Sequence, residues 1–163
     1  MNNSKLIEQS FTILDDKNLS FFQRLKKVCD LLQQEKNSYD WVGFYFAKHS
    51  EKTLHLGPFA GEPTDHKVIP FGKGICGQVA ESNKNFLVED VNAQDNYIAC
   101  SLNVKSEIVV SLFVNDQNIG QIDIDSNTAN AFSKDDEALL ESINKMIAQV
   151  IDKENIQILD LIE

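Results

Sequence analysis

Phe21, Leu25, Val28 and Leu32 recur every three or four residues within SFFQRLKKVCDLLQQEKN (20–37). This spacing predicts an amphipathic helix, with Ser20 as its N-cap. Cys29 lies on the same apolar stripe and reads as a small core residue. Further along, the period shortens: WVGFYFA (41–47) and TLHLGPF (53–59) read as strands, with a hairpin turn at KHSE (48–51). KVIPF (67–71) is a third, short strand that stops at Pro70, which has no N–H for a central ladder. After the glycine-rich FGKG, ICGQVAESN (75–83) reads as a short helix with Cys76 in its first turn, and NFLVEDV (85–91) as a brief strand. NAQDNYIACSLNVKS (92–106) shows no period, and an irregular stretch of that length inside a compact domain is more often functional than not. EIVVSLFVN (107–115) and IGQIDIDS (119–126) are the clearest strands. Ser133 with Asp136 forms a capping-box pattern that opens a final helix carrying Leu139, Ile143, Met146, Ile147 and Val150 on one side.

Helices, then hairpin-linked strands, then a long helix define an α+β domain with an antiparallel sheet covered by helices. The expected organisation is one domain over 1–163: helices in 1–37, sheet and pocket loops in 38–132, and a C-terminal helix in 133–163. The final helix is longer than a small sheet requires, and its tail IQILDLI (156–162) keeps offering apolar residues. A helical homodimer contact is therefore expected.

Strict alternation in QIDID sets Ile122 and Ile124 on one face and Asp123 and Asp125 on the other. The preceding strand divides in the same way, with Ile108, Val110, Leu112 and Val114 opposed to Glu107, Val109, Ser111 and Phe113. A three-residue loop at Asp116–Asn118 would pair Ser111 with Asp123 and Val109 with Asp125, keeping the aliphatic residues together. Glu107, Asp123 and Asp125 then share one surface. Acidic residues on a solvated sheet face would need no further account. Yet Val109 and Phe113 share that face, and aspartate is disfavoured in strands. Enclosed carboxylates must be met by a cation, a proton or hydrogen bonds. The histidines at 49, 55 and 66 show no metal-ligand spacing, so a ligand ammonium is at least as good a counter-charge as a metal, and no metal is assigned.

The bulk properties narrow the partners. Hydrophobic residues make up 42% of the 163, which supports a globular core. The formal charge of −10 argues against nucleic acid and anionic membrane surfaces, which need a basic footprint. No apolar run is long enough to span a bilayer, and MNNSKLIEQSF lacks the basic-then-apolar order of an export signal, so a cytoplasmic location is expected. Three cysteines in a reducing compartment should rest as thiols. In GKGICGQ (72–78), Cys76 is either a filler at a turn or a thiol that a partner must reach. Both readings remain open at this level.

WVGFYF, LGPFAGEP, IPFGKGICGQVA, VEDVNAQDNYIACS, SEIVVSLFV and IGQIDIDS, in that order over about residues 38–150, resemble the GAF-domain free methionine-(R)-sulfoxide reductases. The resemblance implies a GAF fold: about six antiparallel strands, helices on one face, a ligand pocket on the other, and a homodimer through terminal helices. It implies Cys100 of the IAC motif as nucleophile, with Cys76 matching the G-x-C-G cysteine. It also implies a substrate site of Trp41, Glu107, Asp123 and Asp125. Free methionine sulfoxide would be the substrate, and thioredoxin or another thiol the reductant, with no bound cofactor. Such proteins usually carry a further cysteine three residues before the isoleucine of I-P-F-G, where this chain has His66. Cys76 could then serve as resolving thiol, an external thiol could reduce Cys100 directly, or the domain could bind a small ligand without catalysis.

Overall fold

A computed structural model describes residues 1–94 and 103–162. Helices α1 (Asn3–Leu14) and α2 (Phe21–Glu35) precede strands β1 (Trp41–Lys48), β2 (Thr53–Ala60) and β3 (Val68–Pro70). Helix α3 (Gly74–Ser82), β4 (Phe86–Val88), β5 (Ser106–Val114), β6 (Gln117–Ser126) and α4 (Lys134–Lys153) follow. The strands form one sheet in the order β3-β2-β1-β6-β5-β4, and every neighbouring pair is antiparallel. This is the expected α+β architecture.

Period-two patterning separates two cores. Val42, Phe44, Phe46, Ile108, Val110, Ile122 and Ile124 face a layer built by α1, α2 and α4, where they meet Leu6, Leu25, Val28, Leu139 and Ile143. The opposite face carries Trp41, Tyr45 and Val109, which pack with Ile75, Cys76 and Val79 of α3. Cys29 belongs to the helical layer, with its Sγ 3.7 Å from the Pro58 carbonyl, as the stripe predicted. Burial pushes its thiol far above the ordinary cysteine range, which leaves it inert.

Both predicted caps form. The Ser20 hydroxyl accepts from the Gln23 backbone N–H at 3.1 Å, and the Gln23 side-chain amide oxygen accepts from the Ser20 N–H at 2.9 Å. At α4 the Asp136 carboxylate accepts from the Ser133 N–H at 2.9 Å.

Helix α4 does not continue to the end of the chain as expected; it stops at Lys153. Asn155 adopts a left-handed φ of 51°, and the Ile156 N–H returns to the Ile151 carbonyl at 3.0 Å. That pairing is a Schellman stop, with asparagine tolerating the left-handed site. The tail then turns back through a 3-10 turn (Ile158–Leu161), burying Leu161 in the helical core. Part of the apolar tail thus packs within its own chain.

The β5–β6 register also departs from expectation. Asn115 and Asp116, with φ of 50° and 65°, make a two-residue turn that pairs Val114 with Gln117. Such a turn would mix the faces, but pairing steps from Phe113–Asn118 to Leu112–Gly120, leaving Ile119 as an extra residue in β6. The Asn118 side-chain oxygen accepts from the Gly120 N–H at 3.1 Å and holds this bulge. The faces come out as predicted, but the partners shift by two: Val109 opposes Asp123 and Glu107 opposes Asp125. A tight left-handed turn and a bulge together give the parity that a three-residue loop would have given.

Candidate active site

The site lies on the sheet face away from α1, α2 and α4. Glu107 on β5 and Asp123 and Asp125 on β6 all point there, and they are 4%, 1% and 1% exposed. Trp41 pairs with Asp125 across β1 and β6, and Gly43 pairs with Asp123. Glycine is required at 43 because the Trp41 ring lies where a Cβ would stand. The ring stacks on Phe59 at 5.6 Å and 17°, while its N–H donates to the Glu62 carbonyl at 3.0 Å. An aromatic wall is therefore fixed at one end of the carboxylate row.

At the other end stands Cys76. Gly72 and Gly74 have φ of 84° and 63°, which bends the chain sharply into α3. A Cβ on Gly77 would come within 2.6 Å of the Pro70 carbonyl oxygen, so the helix start sits directly against β3. The Gln121 amide donates to the Cys76 carbonyl at 3.2 Å and ties that turn to β6. Cys76 Sγ then lies 3.7 Å from Glu107 Oε1. Cys76, Glu107 and Asp123 each bring a ligand-type atom within 4.8 Å of the others.

Burial removes water from these carboxyls, and this is the main reason why Glu107 is pushed well above the usual carboxylate range. The charges of Asp123 and Asp125 raise it further, while the Cys76 hydrogen bond opposes the shift. Burial raises Asp123 as well, and hydrogen bonds from Glu107 and Cys76 oppose that rise. Both carboxyls of this hydrogen-bonded pair are thus pushed toward their protonated forms, Glu107 by burial and by neighbouring charge, Asp123 by burial. Three adjacent buried carboxyl groups can keep a proton donor and still present negative charge.

His66 lines a small hollow together with Tyr45, Lys73, Cys76, Glu107 and Asp123. Its backbone is fixed at both ends: its N–H donates to the Thr64 hydroxyl at 3.1 Å, and its carbonyl accepts from the Tyr45 hydroxyl at 2.9 Å. A second hollow reaches Trp41, Glu62, Val104 and Asp125. The structure thus gathers Trp41, Cys76, Glu107, Asp123 and Asp125 on one face, with His66 beside them. Cys100 lies outside the described residues. Sequence reasoning missed Tyr45 and Gln121, which anchor His66 and Cys76. Their signal was the same alternation: Tyr45 follows Trp41 by four residues, and Gln121 precedes Asp123 by two.

Comparison with known proteins agrees with this fold. The GAF domain family matches residues 20–152. The free methionine-R-sulfoxide reductase of Saccharomyces cerevisiae is 36% identical over 90% of this chain and 86% of that protein. The Escherichia coli protein of the same name is 35% identical over 88% and 84%. This chain belongs to the GAF-domain free methionine-(R)-sulfoxide reductase family. The Neisseria meningitidis reductase, solved with its substrate, superposes with a TM-score of 0.87 at 29% identity, covering 94% of this chain and 92% of that one. The Staphylococcus aureus reductase with substrate gives a TM-score of 0.83 at 35% identity, over 92% and 95%.

Proposed function

We propose that this protein reduces free L-methionine-(R)-sulfoxide to methionine. The observation that carries the reading is the buried Glu107–Asp123–Asp125 cluster beside the Trp41 wall, in a chain of this family. Burial and neighbouring carboxylate charge push Glu107 toward its protonated form, which suits it to give the sulfoxide oxygen the proton it needs. The remaining carboxylate charge meets the α-ammonium of a free amino acid, a charge that peptide-bound methionine lacks. Trp41 offers an apolar, polarizable surface to the methyl–sulfur end.

In this mechanism the Cys100 thiolate attacks the sulfoxide sulfur as Glu107 protonates the oxygen. The S–O bond breaks and oxygen passes to Cys100, giving methionine and a cysteine sulfenic acid. Methionine sulfur gains two electrons and Cys100 loses two. The Cys76 thiol then condenses with the sulfenic acid to form a disulfide and water, and a dithiol protein such as thioredoxin returns both cysteines to thiols. An external thiol acting directly on Cys100 is the other route to recycling. Mass mapping after substrate oxidation distinguishes them: a Cys76–Cys100 link supports the first, and a dimedone-trappable sulfenic acid that persists at Cys100 supports the second.

The deciding assay supplies free L-methionine-(R)-sulfoxide and dithiothreitol, with Cys100→Ser as control. Methionine made by the native protein alone establishes the reaction. No methionine from folded protein favours a second reading, a GAF module that binds a small ligand, which the His66 replacement motivates.

Self-association belongs to the same proposal. Phe11 is 57% exposed and borders a groove between α1 and α4 that Met146 and Val150 also line. Sedimentation velocity should find a dimer, and Phe11→Glu should shift it to monomer.

A further inference from the structure

Cys76, Glu107 and Asp123 come from three separate elements, α3, β5 and β6, so no sequence spacing advertises them as a set. The fold nevertheless brings one sulfur and two carboxylate oxygens within 4.8 Å of each other, all buried. A tetrahedral zinc ion, with sulfur at about 2.3 Å and oxygen at about 2.0 Å, holds those two ligands roughly 3.5 Å apart. Cys76 Sγ and Glu107 Oε1 stand 3.7 Å apart. A second observation points to a ligand: Asp123 is 1% exposed, faces the hollow that Cys76 and His66 line, and its Oδ1 has no hydrogen-bond partner among the described residues. A buried carboxyl oxygen left in that state is costly unless a cation or donor meets it.

We propose that Cys76, Glu107 and Asp123 form an inhibitory binding site for Zn²⁺, with the fourth coordination position open to water. Thiolate in the ligand set selects a borderline-soft ion over magnesium or calcium. Coordination displaces the Cys76 thiol proton and the proton held between Glu107 and Asp123, so the ion replaces one proton between the carboxylates with a divalent charge. It removes the proton donor, engages the thiol and occupies the charge that a substrate ammonium would meet. The inhibitory consequence rests on the reductase reading; the binding itself does not.

The test uses the whole, reduced chain with no substrate. Cobalt(II), the spectroscopic stand-in for zinc, is titrated first, and zinc stoichiometry is then read by equilibrium dialysis with elemental analysis. The expected result is a single zinc per chain and a near-ultraviolet thiolate-to-cobalt charge-transfer band. The band should persist in Cys100→Ser and vanish in Cys76→Ser. Asp123→Asn should weaken binding by at least about tenfold, the loss that even a second-sphere change brings at metal sites. Circular dichroism and a melt establish that each variant is folded, and Glu107→Gln gives a second, independent loss of affinity. No band in the native chain, or a band that survives Cys76→Ser, overturns the proposal. Because binding is read without turnover, a chain that fails to reduce methionine sulfoxide can still bind zinc, and an active reductase can fail to bind it. Where both hold, zinc should raise the apparent KM for methionine sulfoxide, and added chelator should reverse the effect.

Discussion

Glu107 carries the sharpest consequence of burial. Its titration is pushed well above the usual carboxylate range, first by loss of water and then by the charges of Asp123 and Asp125. A group whose folded pKa lies above its unfolded value contributes stability below the unfolded pKa and loses it as pH rises through the folded one. The native protein should therefore lose stability as pH rises through the raised titration of Glu107 and Asp123. Glu107→Gln, which stays neutral, should flatten that loss, as read from urea midpoints across pH; an unchanged slope would mean that Glu107 is ionised in the fold. The same substitution should lower turnover of free methionine sulfoxide by about 100-fold or more, the range of a lost general acid. In the native enzyme turnover should fall as pH rises through the Glu107 titration, since the donor is then gone.

Among the elements, α3 is the one whose placement matters most to the site. Its start is pressed against β3, with the Gly77 N–H bonded to the Lys73 carbonyl at 2.9 Å and the Gly72 N–H to the Gly77 carbonyl at 2.8 Å. Gly77→Ala puts a methyl group against the Pro70 carbonyl oxygen, which cannot move without moving β3. The expected cost is about 1–3 kcal/mol in denaturant unfolding, the range for overpacking. Cys76 should be displaced with it, which slows any Cys76–Cys100 disulfide. By contrast, Ser133→Ala removes half of a capping box far from the pocket. It should cost about 1 kcal/mol and leave KM unchanged; a changed KM would mean that α4 communicates with the site.

For the molecule as a whole, the tail after α4 acts as a strap. Leu161 fills the helical core, and Glu154 meets the buried Arg24 at 2.8 Å. Leu161→Ala should lower stability by about 2 kcal/mol or more, as a buried leucine truncation does, and a midpoint indistinguishable from native would mean that the tail is not docked in solution. Among the described residues no helix is long and apolar enough to cross a membrane. The two faces of the sheet divide the work: one holds α1, α2 and α4 and carries stability, the other holds α3 and the acidic pocket.

Sequence by itself determined the parts that depend on local periodicity. Alternation on β5 and β6 assigned Glu107, Asp123 and Asp125 to one face, because side chains in a strand point to opposite sides whatever the strand pairs with. Ser20 and Ser133 marked their helix starts for an equally local reason, since a cap needs only the next three residues. Only the tertiary structure decided how far those carboxylates are enclosed, because burial of β6 depends on α3 and on loops remote in sequence. It also decided the β5–β6 partners, where a bulge at Ile119 and a left-handed turn compensate and leave no trace in the hydrophobic pattern. The Schellman stop at Asn155 hid behind continuing apolar residues that turn back to the core rather than extend a helix. The meaning of the glycines around Cys76 was settled by contact: they let α3 meet β3 closely enough to bring a thiol against Glu107.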